Sequence, residues 1–490
     1  MQVRYFKLVF GFIFAACFFD STCIAQFSNT LYFMDRVPQY QELNPAFQPK
    51  CNMFYGWPGL SGFQGDVGNN SISANDVLYF DKQLDSLITF MHDSASKAKF
   101  INHLKNENSF FSDMQVSIIN FGFRVSSFYF TFGINEKFSM DFSYPRDFVK
   151  FAINGNRLID SIANFNFNGL GVNASLYTEV SFGVSKNFDD LILVGARGKF
   201  LIGEANITTN NNSMQFNTSM DSWQLNSDVT MNVYAPGLNI PLKDTIKNEP
   251  DLNHIGFKSD MLKNFPNNLP SPFSSKGFAI DLGIVYKGID KLTLSASMID
   301  LGFIRWRNDV YNLTLIGKYN YTGGNYDALH MDSLNLLDMA IDSIKNSFTL
   351  TRKTSSYTTW LPTKFYVGAE YSPVRFFSLG FLSMSRYFQK KIDQQFVVSA
   401  NLKPLKMLEF STSYSILDND FSSMGIGMNL RLGPWDFYLI SDMIPLYYGK
   451  QYIPYKAEYF DLRLGFDFVF GCQGTEINKE KAKDKPLIFE

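Results

Sequence analysis

The chain has 490 residues, a formal net charge of −2 and 46% hydrophobic content. That balance shows neither the basic excess of a nucleic-acid binder nor a block of acid. Aromatic content is 17%, with 51 Phe and 25 Tyr. Such richness suits a surface that meets lipid and its interfaces, although composition alone also fits a Phe-rich soluble β-sandwich.

Residues 1–25 read as a secretory signal. Arg4 and Lys7 give a basic start, and Leu8 to Phe19 form an apolar core too short to span a bilayer as a helix. Cys23-Ile24-Ala25 supplies small residues at a cleavage site, leaving Gln26 first in the mature chain. The rival is Phe14-Ala15-Ala16-Cys17, a loose lipoprotein box, but the apolar run continues past Cys17. Cleavage after Ala25 removes Arg4, Lys7 and Asp20 and takes the net charge from −2 to −3. No later stretch is apolar enough for a membrane helix.

Residues 26–51 are turn-rich and lack periodicity. They read as a plug-like segment ahead of a barrel, and they contain Asn44-Pro45-Ala46-Phe47. The barrel is expected over 52–470. From Phe460 to Phe470 every second residue is apolar: Phe460, Leu462, Leu464, Phe466, Phe468, Phe470. A strand has a side-chain period of two, so one face is greasy while Asp461, Arg463 and Asp467 share the other. The pattern recurs. Phe128, Phe130, Phe132 and Ile134 alternate, as do Phe138, Met140, Phe142 and Tyr144, which predicts a hairpin turning at Asn135-Glu136. Phe278 to Tyr286 alternates opposite Asp281, and Phe365 to Tyr371 opposite Lys364 and Glu370, with a turn expected at Ser372-Pro373. Met424 to Leu432 alternates opposite Arg431. The periodicity predicts an all-β transmembrane antiparallel barrel of roughly 14 strands, in the range of about 12–16, with lipid outside and polar groups inside.

Three insertions interrupt the strands. Residues 72–110 carry Leu84, Leu87, Ile88 and Met91 at helical spacing, and 323–348 carry Leu334, Leu336, Leu337 and Ile341. Residues 235–276 are rich in Pro, Asn and Lys. The end of the chain, 471–490, is charged and reads as a solvated periplasmic tail. Cys51 and Cys472 flank the barrel. Closure brings first and last strands together, so in an oxidising compartment a Cys51–Cys472 disulfide is one reading, with two free thiols on the inner side as the other.

No chemistry stands out. His92, His103, His254 and His330 all fall in the insertions, none at metal-ligand spacing, and there is no phosphate loop, nucleophile elbow or zinc-protease motif. No cofactor, metal or catalytic residue is expected. The inward charges Asp281, Lys364, Glu370, Arg431, Asp461, Arg463 and Asp467 either line a conduit or pair across neighbouring strands.

Asn29-Thr30-Leu31-Tyr32-Phe33-Met34 with Leu43-Asn44-Pro45-Ala46-Phe47-Gln48-Pro49, then Trp57-Pro58-Gly59-Leu60-Ser61, then Val469-Phe470-Gly471-Cys472 and Lys483-Asp484-Lys485-Pro486 resemble the DUF5723 family of Bacteroidota outer-membrane barrels. Asn44-Pro45-Ala46 also resembles the N-terminal motif of FadL-type fatty-acid transporters, a wider family that includes the cargo-shuttling barrel of type IX secretion. The resemblance implies about 14 strands and an N-terminal segment in the lumen, and it transfers no ligand positions. Three functions stay open: passive transport or binding of a hydrophobic small molecule, a non-transporting scaffold or secretion-associated role with other envelope proteins, and, remotely, a lipid-modifying enzyme.

Overall fold

The computed structural model describes residues 29–155, 162–219, 222–251, 254–257, 275–321, 347–388, 391–417, 420–444 and 459–472. The signal segment, most of the charged tail, His330 and the helical candidate in 323–348 lie outside the described residues.

Fourteen antiparallel strands close on themselves. In chain order they are β1 (Met53–Gly56 continued by Phe63–Asn69), β2 (Glu107–Val125), β3 (Phe128–Pro145), β4 (Gly171–Phe188), β5 (Ile192–Ser219), β6 (Lys276–Ile289) and β7 (Leu292–Trp306). They continue with β8 (Thr363–Val374), β9 (Phe377–Phe388), β10 (Lys391–Leu405), β11 (Leu408–Leu417), β12 (Asp420–Leu432), β13 (Trp435–Ile444) and β14 (Tyr459–Phe470). Each pairs with the next. Met53↔Phe470 and Phe63↔Leu464 join β1 to β14, so no edge is left open. Cys51 and Cys472, just outside that seam, are joined as a disulfide.

The sequence pattern is inside out relative to a soluble sheet. On β14 Phe460 and Phe470 are 55% and 49% exposed, while Asp461 and Asp467 between them are 1% and 0% exposed. The same inversion runs round the wall, with Phe278 and Val367 outside and Asp281 and Asn429 inside. A continuous exposed apolar band around a polar interior is the signature of a sheet solvated by lipid. No helix among the described residues is long and apolar enough to cross a membrane.

One end of the barrel has tight turns, such as Ser126-Ser127, Asp290-Lys291 and Gly433-Pro434, and holds both Met53 and Phe470. The other end carries the long excursions. There β5 outruns its neighbour: Ile192–Ile202 pairs with β6, and Asn206–Thr218 pairs with a separate strand, Trp223–Tyr234. That strand pairs with Val310–Tyr321, which pairs with Phe348–Lys353, raising a flap above β6 and β7.

Two local expectations are corrected. Asn135-Glu136 is no turn, because β3 runs unbroken through it, pairing with β2 and β4. The two apolar runs share one parity, so the alternation never resets, and the outward Glu136 accepts a hydrogen bond from Thr178 at 2.8 Å. Leu84, Leu87, Ile88 and Met91 are not helical either. Leu78–Asp81 and Ser86–Thr89 form a small hairpin whose turn is made by Asp81, its carboxylate accepting from the amides of Gln83 and Leu84. Helices in that region are α1 (Ala74–Val77) and α2 (Lys97–His103), and α3 (Arg146–Asn154) follows β3. Ser372-Pro373 lies within β8, at a register shift before the turn at Arg375-Phe376.

Candidate functional site

The N-terminal segment from Asn29 lies inside the barrel. It is too short and too polar to form a core alone, and it folds as two single-turn 3₁₀ helices, Thr30–Phe33 and Pro38–Glu42. Its order comes from the wall. Leu31, Tyr32, Phe33, Met34 and Val37 cluster with Tyr366, Leu382, Val397 and Ile440 of β8, β9, β10 and β13. Glycines on the inner faces make room: a Cβ at Gly368 or Gly380 would press on the rings of Tyr32 or Phe33 at 2.6 Å. Burial pushes the Tyr32 phenol up to about 12.

Asn44-Pro45-Ala46-Phe47 forms a turn seated on β6 and β7. The Asn44 Oδ1 accepts from the amide of Ala46 at 2.9 Å, and its Nδ2 donates to the carbonyls of Ala296 (3.3 Å) and Ile284 (3.5 Å). Ser297 donates to the carbonyl of Leu43 at 2.6 Å. A Cβ on Gly195 or Gly283 would collide with Pro45 or Asn44, so the motif and these two glycines fit as one joint. Phe47 stacks on Tyr40, with ring centroids 4.8 Å apart.

Polar side chains tie the rest of the segment down. Glu42 accepts from Arg463 at 2.5 Å, from Gln115 at 3.2 Å and from Asn120 at 3.3 Å. Gln41 meets Arg197, and Gln39 donates to Asp467 at 2.8 Å. Thr30 binds Asp442 through its amide and its hydroxyl. Asp35 pairs with Lys50 (2.5 Å) and Lys403 (2.8 Å). Burial alone would raise the Asp35 carboxyl, but the two lysines outweigh it and hold the group well below the usual carboxylate range.

Above this layer the wall carries a dense ion cluster. Lys199 contacts Asp300 at 2.5 Å, Asp281 at 2.9 Å and Glu179 at 3.5 Å. Lys137 contacts Glu179 at 2.7 Å, and Lys364 lies 3.9 Å from Asp300. Of the seven sequence-predicted inner charges, Asp281, Asp461, Arg463 and Asp467 are buried. Asp281 and Lys364 sit in this cluster, while Arg463 and Asp467 hold the N-terminal segment. Arg431 pairs with Asp436 at 2.9 Å, Glu370 accepts from Ser378 at 2.6 Å, and Asp461 accepts from the amide of Asp442 at 2.7 Å. Sequence reasoning missed Gln39, Gln41, Glu42, Lys137, Glu179, Arg197, Lys199 and Asp300. Arg197 and Lys199 do carry a signal, since they alternate with Ala196 and Gly198 on one strand.

On the long-loop side of the ion cluster the lumen opens into a cavity of about 650 Å³. Tyr177, Trp360, Leu361 and Phe388 give it apolar wall, and Lys364 and Arg386 give it charge. A smaller cavity of about 60 Å³, between Glu42, Lys137 and Arg463, separates it from the N-terminal segment. Among the described residues no group of His, Cys, Asp or Glu is arranged to hold a metal ion.

Among solved structures, the toluene transporter TbuX of Ralstonia pickettii matches at 10% identity and a TM-score of 0.38, over 88% of this chain and 94% of its own. A FadL homologue of Pseudomonas aeruginosa matches at 11% and 0.36, over 91% and 96%. The P. putida toluene transporter TodX matches at 8% and 0.35, over 89% and 93%. No curated protein matches the chain. The model of the family of unknown function DUF5723 matches residues 45–442, and the chain belongs to that family.

Proposed function

We propose that the protein is an outer-membrane barrel, exported through a signal cleaved after Ala25, that binds a hydrophobic or amphipathic small molecule above an N-terminal plug and passes it across the membrane without chemistry. The carrying observation is the cavity of about 650 Å³ that rests on the ion cluster and opens toward the long loops. Its size falls in the range of small-molecule sites, and apolar wall with a few charges fixes and orients such a ligand. The tight-turn end, with both ends of the barrel wall, faces the periplasm in barrels of this kind.

A second reading, a sealed scaffold for other envelope proteins, is favoured by the many ties that hold the plug. One experiment separates them: gentle purification of wild type and Ser139→Trp, followed by mass spectrometry of bound lipids and proteins. Ser139 stands in the cavity wall, so a compound retained at unit stoichiometry by wild type and lost from the variant supports transport. Identical small-molecule contents in both, with a stoichiometric protein partner, would replace it with the scaffold.

A further inference from the structure

A third cavity, of about 290 Å³, lies at the rim where the loop-side ends of β1 to β5 meet. Its chemistry differs from that of the inner cavity. Six of the lining residues are asparagines: Asn70, Asn108, Asn168, Asn173, Asn210 and Asn212. Ser109, Ser143 and Thr209 add hydroxyls, Tyr144, Pro145 and Leu170 add an apolar patch, and Glu107 is the one ionisable acid or base among the lining residues besides the phenol of Tyr144. An amide presents a donor and an acceptor together, as does a hydroxyl. A wall of amides therefore matches a ligand whose every polar group both donates and accepts. With no Lys, Arg or His among the described lining residues, they offer nothing to neutralise an anion.

The frame is fixed before any ligand arrives. Asn108 donates to the carbonyls of Lys105 (2.9 Å) and Tyr144 (3.2 Å), Asn173 accepts from Thr208 at 2.6 Å, and Asn168 accepts from the amide of Met214 at 2.8 Å. The Asn70 carbonyl oxygen accepts from the amide of Ser109 at 2.9 Å. Asn108 Oδ1, Asn212 Oδ1 and Ser109 Oγ have no hydrogen-bond partner among the described residues but lie beneath the surface of the wall, so a ligand would meet the other amide and hydroxyl groups of the lining. The volume is far above the ~10–15 Å³ that one water needs.

We propose that this rim pocket binds a neutral polyhydroxylated group, a sugar or the sugar end of a glycoside, at the cell exterior. Hydroxyls meet the asparagines, and the C–H face of the ring lies on Tyr144 and Leu170. The assignment is independent of what fills the inner cavity, although Asn173 and Asn210 belong to both walls.

The test is saturation-transfer NMR of maltose with the full-length protein in lauryldimethylamine oxide, a detergent without a sugar head. Wild type is expected to give a saturable signal, and glucose 6-phosphate to bind at least tenfold more weakly. Asn212→Trp, which fills the pocket, should abolish the maltose signal. If that variant loses the heat-modifiable migration of a folded barrel, Asn212→Asp is read instead, with an expected loss of several-fold. No saturable maltose signal from wild type, equal binding of the phosphorylated sugar, or undiminished binding by the folded variants would overturn the proposal.

Discussion

Glu42 ties the N-terminal segment to two strands of the wall at once. Its carboxylate takes Arg463 from β14 together with Gln115 and Asn120 from β2. Arg463 is 3% exposed, so removing its partner strands a guanidinium in the lumen. Breaking one side of a buried ion pair costs about 3–5 kcal/mol. Glu42→Ala is expected to leave the barrel closed but weaken the hold on the plug, raising single-channel conductance in planar bilayers. Unchanged conductance would mean that the aromatic packing of Tyr32, Phe33 and Phe47 seats the segment by itself. The lumen charges were legible one at a time because each breaks an apolar alternation. Their partners were not, because Glu42 and Arg463 lie 421 positions apart and Gln39 and Asp467 lie 428 apart. No local pattern encodes a contact at that range.

At the scale of elements, strands were readable where the parity of the alternation holds. β14 keeps one phase from end to end. β2 does not: its pairing slips between Ser117 and Ile119, so the faces exchange midway. β3 shows the opposite error, since a polar Asn135-Glu136 interrupted the apolar reading without changing its phase. The excursion after β1 was misread for a different reason. Leucines at helical spacing there are overruled by the Asp81 turn, and its true helices are one and two turns long, fixed by caps and tertiary contacts rather than by an apolar stripe.

That excursion has its own latch. Asp76 of α1 meets His103 of α2 at 2.5 Å and accepts from the Ser73 hydroxyl and amide. Partial burial by itself would raise the Asp76 carboxyl, but Ser73 and His103 outweigh it and lower the group. A carboxyl lowered in the folded state stabilises above its ordinary value and stops doing so as pH falls through the folded one. Hydrogen exchange over residues 97–103 should therefore be slow at neutral pH and rise below about pH 4, after correction for intrinsic rates. Asp76→Asn should flatten that step, and an unaltered pH profile in the variant would show that Asp76 is not the latch.

Over the whole molecule the controlling fact is which solvent the outer face was built for. Phe466 lies on that face, its ring stacked 5.1 Å from Trp435 and 4.5 Å from Phe437. A charge on the lipid face costs about 2–4 kcal/mol at the midplane and less toward the interfaces. Phe466→Arg should lower the fraction of chain that refolds into vesicles, read by heat-modifiable migration on a gel. Full refolding would put that face away from lipid and reverse the wall.

The covalent link between Cys51 and Cys472 also constrains how the N-terminal segment can move. It fastens the root of the N-terminal segment to the end of β14, where the wall meets itself. The segment is thus a tethered arm rather than a removable stopper. Any motion that clears the lumen is a swing about Cys51, smallest at Lys50 and largest at Thr30. The contacts of Thr30 with Asp442 and Ser413, far from that pivot, must break before the segment can leave its seat, and the same tether returns it there.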